Sequence, residues 1–171
     1  MQIGKLPRVK LVNLPTPLEE MPRLSKVLGG PRLWIKRDDY TGLAFGGNKA
    51  RKMEFVMADA ISKKADVVIT TGDAQSNHAC VTTAAAAKLG IKTVLILHEE
   101  EPKEYDGNLL LNNILGANIR FIHAEMGEIS SIMKEVAKEL ENEGYAPYII
   151  PSGASYPMGS VGYVNASLEL L

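Results

Sequence analysis

Hydrophobic and polar positions along this chain change repeatedly between the short runs of strands and the longer periodic stretches of helices. Apolar or β-branched runs predict strands near Leu33 to Lys36, Val67 to Thr71, Thr93 to Leu97, Asn118 to Ile122 and Tyr148 to Ile150. Helical spacing predicts helices near Asn48 to Lys63, Asn77 to Leu89, Asn108 to Leu115 and Glu128 to Asn142, with another beginning near Gly159. This alternation predicts an α/β fold, in which a parallel sheet with right-handed crossovers has helices on both faces.

The segment Gly46-Gly47-Asn48-Lys49 places an amine between a flexible glycine pair and a long amphipathic stretch. The spacing predicts Asn48 as the N-cap and Lys49 as the first helical residue. A nucleophilic lysine needs roughly 4 kcal/mol to bring its pKa near neutrality, and a helix end supplies at most about 2 kcal/mol. Burial in an apolar or cofactor-filled cleft must supply the rest. On this tetrapeptide alone, a turn with a solvated lysine is the more frequent outcome.

A second polar cluster, Gln75-Ser76-Asn77-His78, follows the apolar strand that ends at Gly72. It precedes an alanine-rich stretch without glycine or proline, which Gly90 closes. Strand, polar loop and helix in this order present free backbone N–H groups to an anion at the carboxyl end of a parallel strand. Ser76 and Asn77 are also preferred helix caps. The density of hydroxyl, amide and imidazole groups exceeds what one cap requires and favours a functional site.

These motifs resemble those of the D-cysteine desulfhydrase and 1-aminocyclopropane-1-carboxylate (ACC) deaminase family of pyridoxal-phosphate enzymes, which have fold type II, like the tryptophan synthase β subunit. The resemblance runs through Leu14 to Leu18, Trp34 to Leu43, Gly46 to Glu54, Gln75 to His78, Tyr148 to Pro151 and Leu168-Glu169. It implies the cofactor pyridoxal 5'-phosphate and β-elimination of D-cysteine, or a related β-substituted amino acid, to a keto acid and ammonia. The alternatives are an ACC deaminase and a non-catalytic α/β ligand-binding domain.

The family's pattern implies a role for each residue of the two motifs. Lys49 would carry the cofactor as an internal aldimine, with Asn48 beside it, and would then move protons. Asn77 would hydrogen-bond the phenolic oxygen of the cofactor ring. Ser76, with the N–H groups of Asn77 and His78, would hold the substrate carboxylate in a loop that includes Gln75, and its hydroxyl would lie near the reacting carbon.

Some positions depart from the family's pattern and bear on the substrate. Cys80 stands where the family usually has an arginine, and Gly153 to Tyr156 stand where it tends to have Gly-Gly-Ser-Asn. His78 matches the desulfhydrase branch, since the deaminases generally have glutamine there and a further tryptophan after the strand that ends at Leu97. Cys80 has no partner for an internal disulfide, and we expect a small buried helix residue, with a reactive thiol as the alternative.

The resemblance also predicts a division into parts of two domains. Residues 1–50, with the lysine loop, would belong to a large domain, residues 51–157 would form a small α/β domain, and residues 158–171 would return to the large one. Family members are longer, and their phosphate-binding loop and pyridine-nitrogen partner would lie beyond Leu171. We therefore expect either an N-terminal part of a longer protein or a short form with half of its cofactor site.

Composition and charge narrow the classes of partner. Hydrophobic residues make up 46% and charged residues 23% of the 171 residues, which is enough for a core. The net charge of -1 argues against nucleic acid or an anionic membrane as a partner. No apolar run has the length of a membrane span, and the three histidines lie on separate elements, which disfavours a metal site. We expect a cytoplasmic protein with a small amino-acid substrate, homodimeric when full length.

Overall fold

The protein is described by a computed structural model over residues 6–125 and 127–171, so residues 1–5 of the predicted first segment lie outside the described residues. The strands are β1 (Leu18–Glu20), β2 (Trp34–Lys36), β3 (Val67–Gly72), β4 (Lys92–Leu97), β5 (Asn118–Phe121) and β6 (Pro147–Ile149). The α-helices are α1 (Pro22–Leu28), α2 (Asn48–Ser62), α3 (Asn77–Leu89), α4 (Gly107–Ile114), α5 (Ile129–Asn142) and α6 (Pro157–Ser167). Short 3-10 turns at Asp38–Thr41, Ser152–Ala154 and Leu168–Leu170 complete the described elements.

The described residues form a parallel four-stranded sheet in the order β5-β4-β3-β6. Ile69 of β3 pairs with Val94 of β4 on one side and with Ile149 of β6 on the other. Every residue of β3 is buried, as expected for an inner strand of a parallel sheet. Because β4 and β6 lie on opposite sides of β3, the switch in strand order lies there, where open α/β sheets form a ligand crevice at their carboxyl ends.

Helices cover both faces of this sheet, which confirms the predicted α/β architecture. On one face, Val68 of β3 packs in a cluster with Val56 of α2 and Val81 of α3. On the other face, Ile69 lies in a cluster with Met133 of α5. Among the described helices, none is long and apolar enough to cross a membrane.

The first predicted strand lies outside the parallel sheet, in the segment that the sequence assigns to a separate large domain. β2 pairs antiparallel with β1 in a separate two-stranded sheet, with Glu19 opposite Ile35. β1 and α1 were not predicted; β1 is exposed throughout and α1 has no buried residue. β1 has three residues and α1 only seven. Leu24, Val27 and Leu28 of α1 do recur at helical spacing, but over less than two turns. The other predicted elements are confirmed, with ends that differ by about one or two residues.

A buried ion cluster fixes the helix that carries Lys49. Arg51 of α2 is 1% exposed and donates hydrogen bonds to Asp38 and to Glu169, each at 2.7 Å. The Arg51 guanidinium is the largest influence that lowers the pKa of Glu169 to about 2. Gly162 of α6 approaches α2 so closely that an added Cβ would lie 2.6 Å from the Arg51 carbonyl oxygen. The start of α2 is therefore held between the N-terminal segment and α6.

Candidate active site

The loop that precedes Lys49 requires both of its glycines. Gly46 and Gly47 have φ angles of +72° and +99°, in the region that favours glycine. A Cβ on Gly46 would lie 2.5 Å from the carbonyl oxygen of Asp39. The N–H of Gly47 donates to the carbonyl oxygen of Asp38 at 2.8 Å. This close packing holds the loop in the conformation that places Lys49 in the first turn of α2.

The helix begins one residue earlier than predicted. Gly47 is the N-cap, and its carbonyl accepts the first hydrogen bond, from Ala50 N at 3.1 Å. Asn48 is the first helical residue, is exposed and makes no capping hydrogen bond with its side chain. The reason for this correction is that glycine reaches the required φ without a capping side chain, so Lys49 is the second helical residue.

Two amines lie close together in this turn, and their surroundings differ. Lys52 is 9% exposed, and its Nζ donates to the Gly153 carbonyl oxygen at 2.9 Å and lies 3.3 Å from Ser155 Oγ. Burial, and then the charge of Lys49, lowers the pKa of Lys52. Lys49 is half-buried, and an added Cβ on Gly153 would lie 3.3 Å from its Nζ. Within the described residues, the Lys49 amine has no hydrogen-bond partner, which leaves it available for chemistry.

The entrance of α3 presents unpaired backbone donors. Ser76 is the N-cap, as its capping alternative predicts, and its Oγ accepts from Ala79 N at 3.3 Å. The backbone N–H groups of Asn77 and His78 have no acceptor among the described residues. A Cβ on Gly72 would lie 2.6 Å from the Ser76 Cβ, so glycine allows the strand and loop to approach. Free N–H groups and the helix dipole make this entrance suitable for a carboxylate.

His78 is buried and neutral. It is 3% exposed, and its Nε2 lies 2.8 Å from Thr70 Oγ1, which donates its own proton to the Ile150 carbonyl oxygen at 2.8 Å. Since the Thr70 hydroxyl has one proton, His78 Nε2 must donate to it. Nδ1 is then an acceptor, buried without a partner among the described residues. Burial, followed by the charges of Lys49 and Lys52, lowers the pKa of His78 to about 4. Thr70 links His78 to Ile150, which lies three residues before Gly153, and both amines lie beside Gly153.

Two residues that the sequence did not single out hold the polar loop. Asn108, near the start of α4, donates its backbone N–H to Gln75 Oε1 at 3.0 Å and its side-chain nitrogen to Asn77 Oδ1 at 2.9 Å. Glu99, which lies two residues after the end of β4, accepts a hydrogen bond from the backbone N–H of Ala74. An asparagine near a predicted helix start is typical of a cap, so the pattern gave no signal for the role of Asn108.

A cavity of about 410 Å³ opens at the carboxyl edge of the sheet, beside the α3 entrance. Ser76 belongs to its lining and Lys49 does not. His98 also lines the cavity, and its Nδ1 donates to the Gly72 carbonyl oxygen at 2.7 Å. The other ring nitrogen of His98 makes no hydrogen bond to any of the described residues, so it can contact a ligand. This cavity is at the crevice expected from the strand order.

Cys80 is the small buried helix residue that the sequence predicts. It is 1% exposed on α3, next to the first turn. Burial raises the pKa of its thiol. A reactive thiol requires a lowered pKa and access to solvent, so the structure favours the packing role.

The groups of this site fit the cofactor that the resemblance implies. Pyridoxal phosphate has an aldehyde and a phenolic oxygen, and an amino-acid substrate adds a carboxylate. The site provides the amine of Lys49, the side-chain NH₂ of Asn77 and the two backbone N–H groups at the start of α3, all without partners within the described residues. The buried Nδ1 of His78 adds an acceptor that a ligand can satisfy.

Comparison with known proteins gives the same family. Residues 9–171 match a family described as pyridoxal-phosphate dependent enzyme. The chain is 48% identical over 169 residues to a putative 1-aminocyclopropane-1-carboxylate deaminase of Pyrococcus furiosus, and 43% identical over 173 residues to a D-cysteine desulfhydrase of Klebsiella pneumoniae. Both alignments cover 98% of this chain but 50% and 52% of the relatives, so the chain spans about half of their length.

Solved structures agree with this assignment. The crystal structure of an ACC deaminase homologue matches with a TM-score of 0.92 and 46% identity, covering 98% of this chain and 51% of that one. Maize serine racemase, at 21% identity, shares the fold with a TM-score of 0.68, over 91% of this chain and 44% of its own. The predicted fold type and cofactor class are thus confirmed, and the chain belongs to the pyridoxal-phosphate dependent enzyme family.

Proposed function

We propose that the protein is a pyridoxal-phosphate-dependent lyase or deaminase of a small amino acid, with β-elimination of D-cysteine as its leading reaction. The observation that carries this proposal is a Lys49 amine without a partner among the described residues, beside Gly153, together with an α3 entrance whose N–H groups are unpaired there. Thr70 links His78 at this entrance to Ile150, three residues before Gly153. Two of its relatives bear the names of D-cysteine desulfhydrase and putative ACC deaminase. The lysine binds the cofactor, and the entrance binds the substrate.

Lys49 has two roles in this proposal. Its Nζ would hold the cofactor covalently, and the incoming amine of the substrate would free it. Once free, Nζ takes the proton from the substrate Cα. When bound, pyridoxal phosphate supplies an electron sink for the charge that develops at Cα. Asn48, exposed beside Lys49, remains a candidate for cofactor contact.

The polar loop orients the substrate and the cofactor ring. The backbone N–H groups of Asn77 and His78, with the Ser76 hydroxyl, bind the substrate carboxylate and bring the hydroxyl close to the reacting carbon. The Asn77 side chain donates to the phenolic oxygen of the ring. Gln75 completes the substrate-binding loop, and a neutral His78 adds no charge beside the carboxylate.

The proposed reaction converts D-cysteine and water to pyruvate, hydrogen sulfide and ammonia. The Cα–H bond breaks and its proton passes to Lys49 Nζ. The electron pair then forms the Cα–Cβ double bond as the Cβ–S bond breaks, and the sulfur leaves with its pair and takes up a proton. The released enamine hydrolyses to the keto acid and ammonia. This sequence needs neither an oxidant nor a reductant.

ACC deamination is the second candidate reaction. The Pyrococcus furiosus relative and the ACC deaminase homologue both bear that name. In this case, ring opening and hydrolysis would convert the substrate to a four-carbon keto acid and ammonia, without sulfide. A third possibility is ligand binding without chemistry, which would leave the α3 entrance functional and the Lys49 amine unmodified.

The domain division and the surroundings of the protein are parts of this proposal. The parallel sheet and helices α3, α4 and α5 lie within residues 51–157, which supports a small domain there. Residues 1–50 and 158–171 would belong to the large domain. A net charge of -1 supports a protein without nucleic acid as a partner, and we place it in the cytoplasm as a homodimer when full length.

The experiment measures keto acid, sulfide and ammonia from D-cysteine, L-cysteine and ACC with added cofactor. The chain spans about half of the length of its relatives. A second protein is therefore assayed beside it, in which this chain is fused to the carboxyl-terminal half of the Klebsiella pneumoniae desulfhydrase. Sulfide and pyruvate from D-cysteine, lost in Lys49→Ala, are expected. Keto acid from ACC alone would transfer the proposal to deamination, and amino-acid binding without any product would contradict it.

A further inference from the structure

The side-chain amide of Asn108 contacts two parts of the polar loop at once. Asn108 is 8% exposed, and its Nδ2 lies 2.8 Å from the Gln75 carbonyl oxygen and 2.9 Å from Asn77 Oδ1. Asn77 itself is exposed. One buried amide group therefore joins the backbone of the loop to the side chain of its neighbour.

These contacts determine which way the Asn77 amide points. A backbone carbonyl oxygen is always an acceptor, so the Asn108 atom beside Gln75 must be the nitrogen. That same nitrogen faces the Asn77 side chain, so the Asn77 atom that meets it must be the oxygen. The NH₂ group of Asn77 then points away from Asn108. Within the described residues, this NH₂ has no acceptor.

The close approach of α4 to the loop is built into the sequence. Gly107 has a φ of +48°, and a Cβ there would lie 2.4 Å from Gln75 Oε1. Gln75 is held at both ends of its amide: Oε1 accepts from Asn108 N at 3.0 Å, and Nε2 donates to Asp106 Oδ1 at 2.8 Å. Residues at the start of α4 therefore bind both ends of the Gln75 amide, and these contacts hold Asn108 next to Asn77.

We propose that Asn108 is a positioning residue that fixes the Asn77 amide with its NH₂ toward the phenolic oxygen of the cofactor ring. This inference rests on the proposed function, in which Asn77 donates to that oxygen. Asn108 does not touch the ring itself. In the opposite orientation of the Asn77 amide, Asn77 Oδ1 would face the phenolic oxygen of the ring. Asn108 excludes that orientation because its nitrogen donates to Asn77 Oδ1.

The decisive variant is Asn108→Asp. A carboxylate at position 108 is an acceptor only, so Asn77 should rotate its amide to donate to it and turn its oxygen toward the cofactor. Asn113→Asp is the matched control, because it makes the same change on an exposed residue of the same helix. Asn77→Ala gives the effect of losing the donor altogether.

The first readout uses the protein without cofactor. Side-chain amide hydrogen exchange, followed by ¹⁵N NMR, should show slow exchange at Asn108 and fast exchange at Asn77. In Asn108→Asp the Asn77 amide should become protected, and in Asn113→Asp it should not. An Asn77 amide that exchanges equally fast in all three proteins would overturn the proposed orientation.

The second readout is the visible spectrum and the retention of added pyridoxal phosphate in equilibrium dialysis. Asn108→Asp should shift the spectrum as Asn77→Ala does and weaken retention about tenfold or more. The double variant should be no weaker than Asn77→Ala. A spectral shift in Asn77→Ala but not in Asn108→Asp would overturn the role of Asn108 while leaving the proposed function intact. A wild-type protein that never forms the chromophore would instead refute the proposed function. In that case the NMR experiment would still decide the orientation of the Asn77 amide.

Discussion

His78 Nε2 lies 2.8 Å from Thr70 Oγ1, and this contact holds a neutral imidazole inside the protein. Burial is the largest influence that lowers the pKa of His78 to about 4, below its usual value of about 6.5. Protonation therefore favours the unfolded chain. The contribution of His78 to stability is fully present above about pH 6.5 and is lost as the pH falls toward 4.

The first prediction follows from this shift. Between pH 6.5 and pH 4, the free energy of unfolding should fall by roughly 3 kcal/mol through His78 alone. Urea unfolding at several pH values measures it, and His78→Gln, which has no group that titrates there, is the control. The wild-type curve should be steeper than that of the variant. Equal slopes would show that His78 is accessible to protons in the folded state.

The second prediction concerns the Arg51 cluster. Arg51→Met leaves the carboxylates of Asp38 and Glu169 without their main partner, and these side chains are only 17% and 11% exposed. Breaking such a buried pair should cost about 3 to 5 kcal/mol in urea unfolding. Arg120→Met removes an exposed pair with Glu139 and should cost less than about 1 kcal/mol. Similar losses in the two variants would contradict the buried role of Arg51.

The third prediction separates the roles of Ser76 and Asn77. Asn77→Ala should shift the visible absorbance of the bound cofactor and weaken its retention, because a hydrogen bond to a charged group contributes about 1.5 to 3 kcal/mol. Ser76→Ala should lower stability by about 1 kcal/mol through the lost cap, leave the spectrum nearly unchanged and reduce turnover of D-cysteine. Equal spectral changes in both variants would argue against two different partners.

The fourth prediction concerns the close contact between Gly72 and Ser76. Gly72→Ala would place a methyl group 2.6 Å from the Ser76 Cβ and displace the start of α3. We expect a loss of about 1 to 3 kcal/mol and weaker binding of the substrate carboxylate. Gly30→Ala is the control, because nothing lies within 4 Å of the added Cβ there. A Gly72→Ala protein with wild-type stability would show that the contact is not tight.

The sequence predicted the elements whose apolar residues meet a sheet or another helix. α3 has the predicted bounds, because Ser76 caps it and Gly90, in the left-handed region, ends it. β1 and α1 were missed because they have only three and seven residues, which gives too short a pattern to indicate an element. Asn48 was predicted as the N-cap of α2 but is its first helical residue, because Gly47 is the N-cap.

The site shows the same division between local and distant information. Lys49, Ser76 and Asn77 have recognisable neighbours in the chain, so their motifs indicated them. Asn108 contacts Asn77, which is 31 residues away in the sequence. The residues next to Asn108 in the sequence do not indicate that contact. Thr70 likewise sets the tautomer of His78 from inside the buried strand β3. In the sequence, Thr70 looks like any other β-branched residue of a strand, so nothing indicates this role.

In the proposed function, Lys49 carries the cofactor and its neighbour Lys52 does not. Lys52 Nζ is occupied by the Gly153 carbonyl oxygen at 2.9 Å, whereas the Lys49 amine has no partner within the described residues. The most direct measurement is borohydride reduction of the protein with added pyridoxal phosphate, followed by peptide mapping by mass spectrometry. We predict a single reduced adduct on Lys49, which Lys49→Ala abolishes. An adduct on Lys52, or one that persists in Lys49→Ala, would show that Lys49 is not the residue that binds the cofactor.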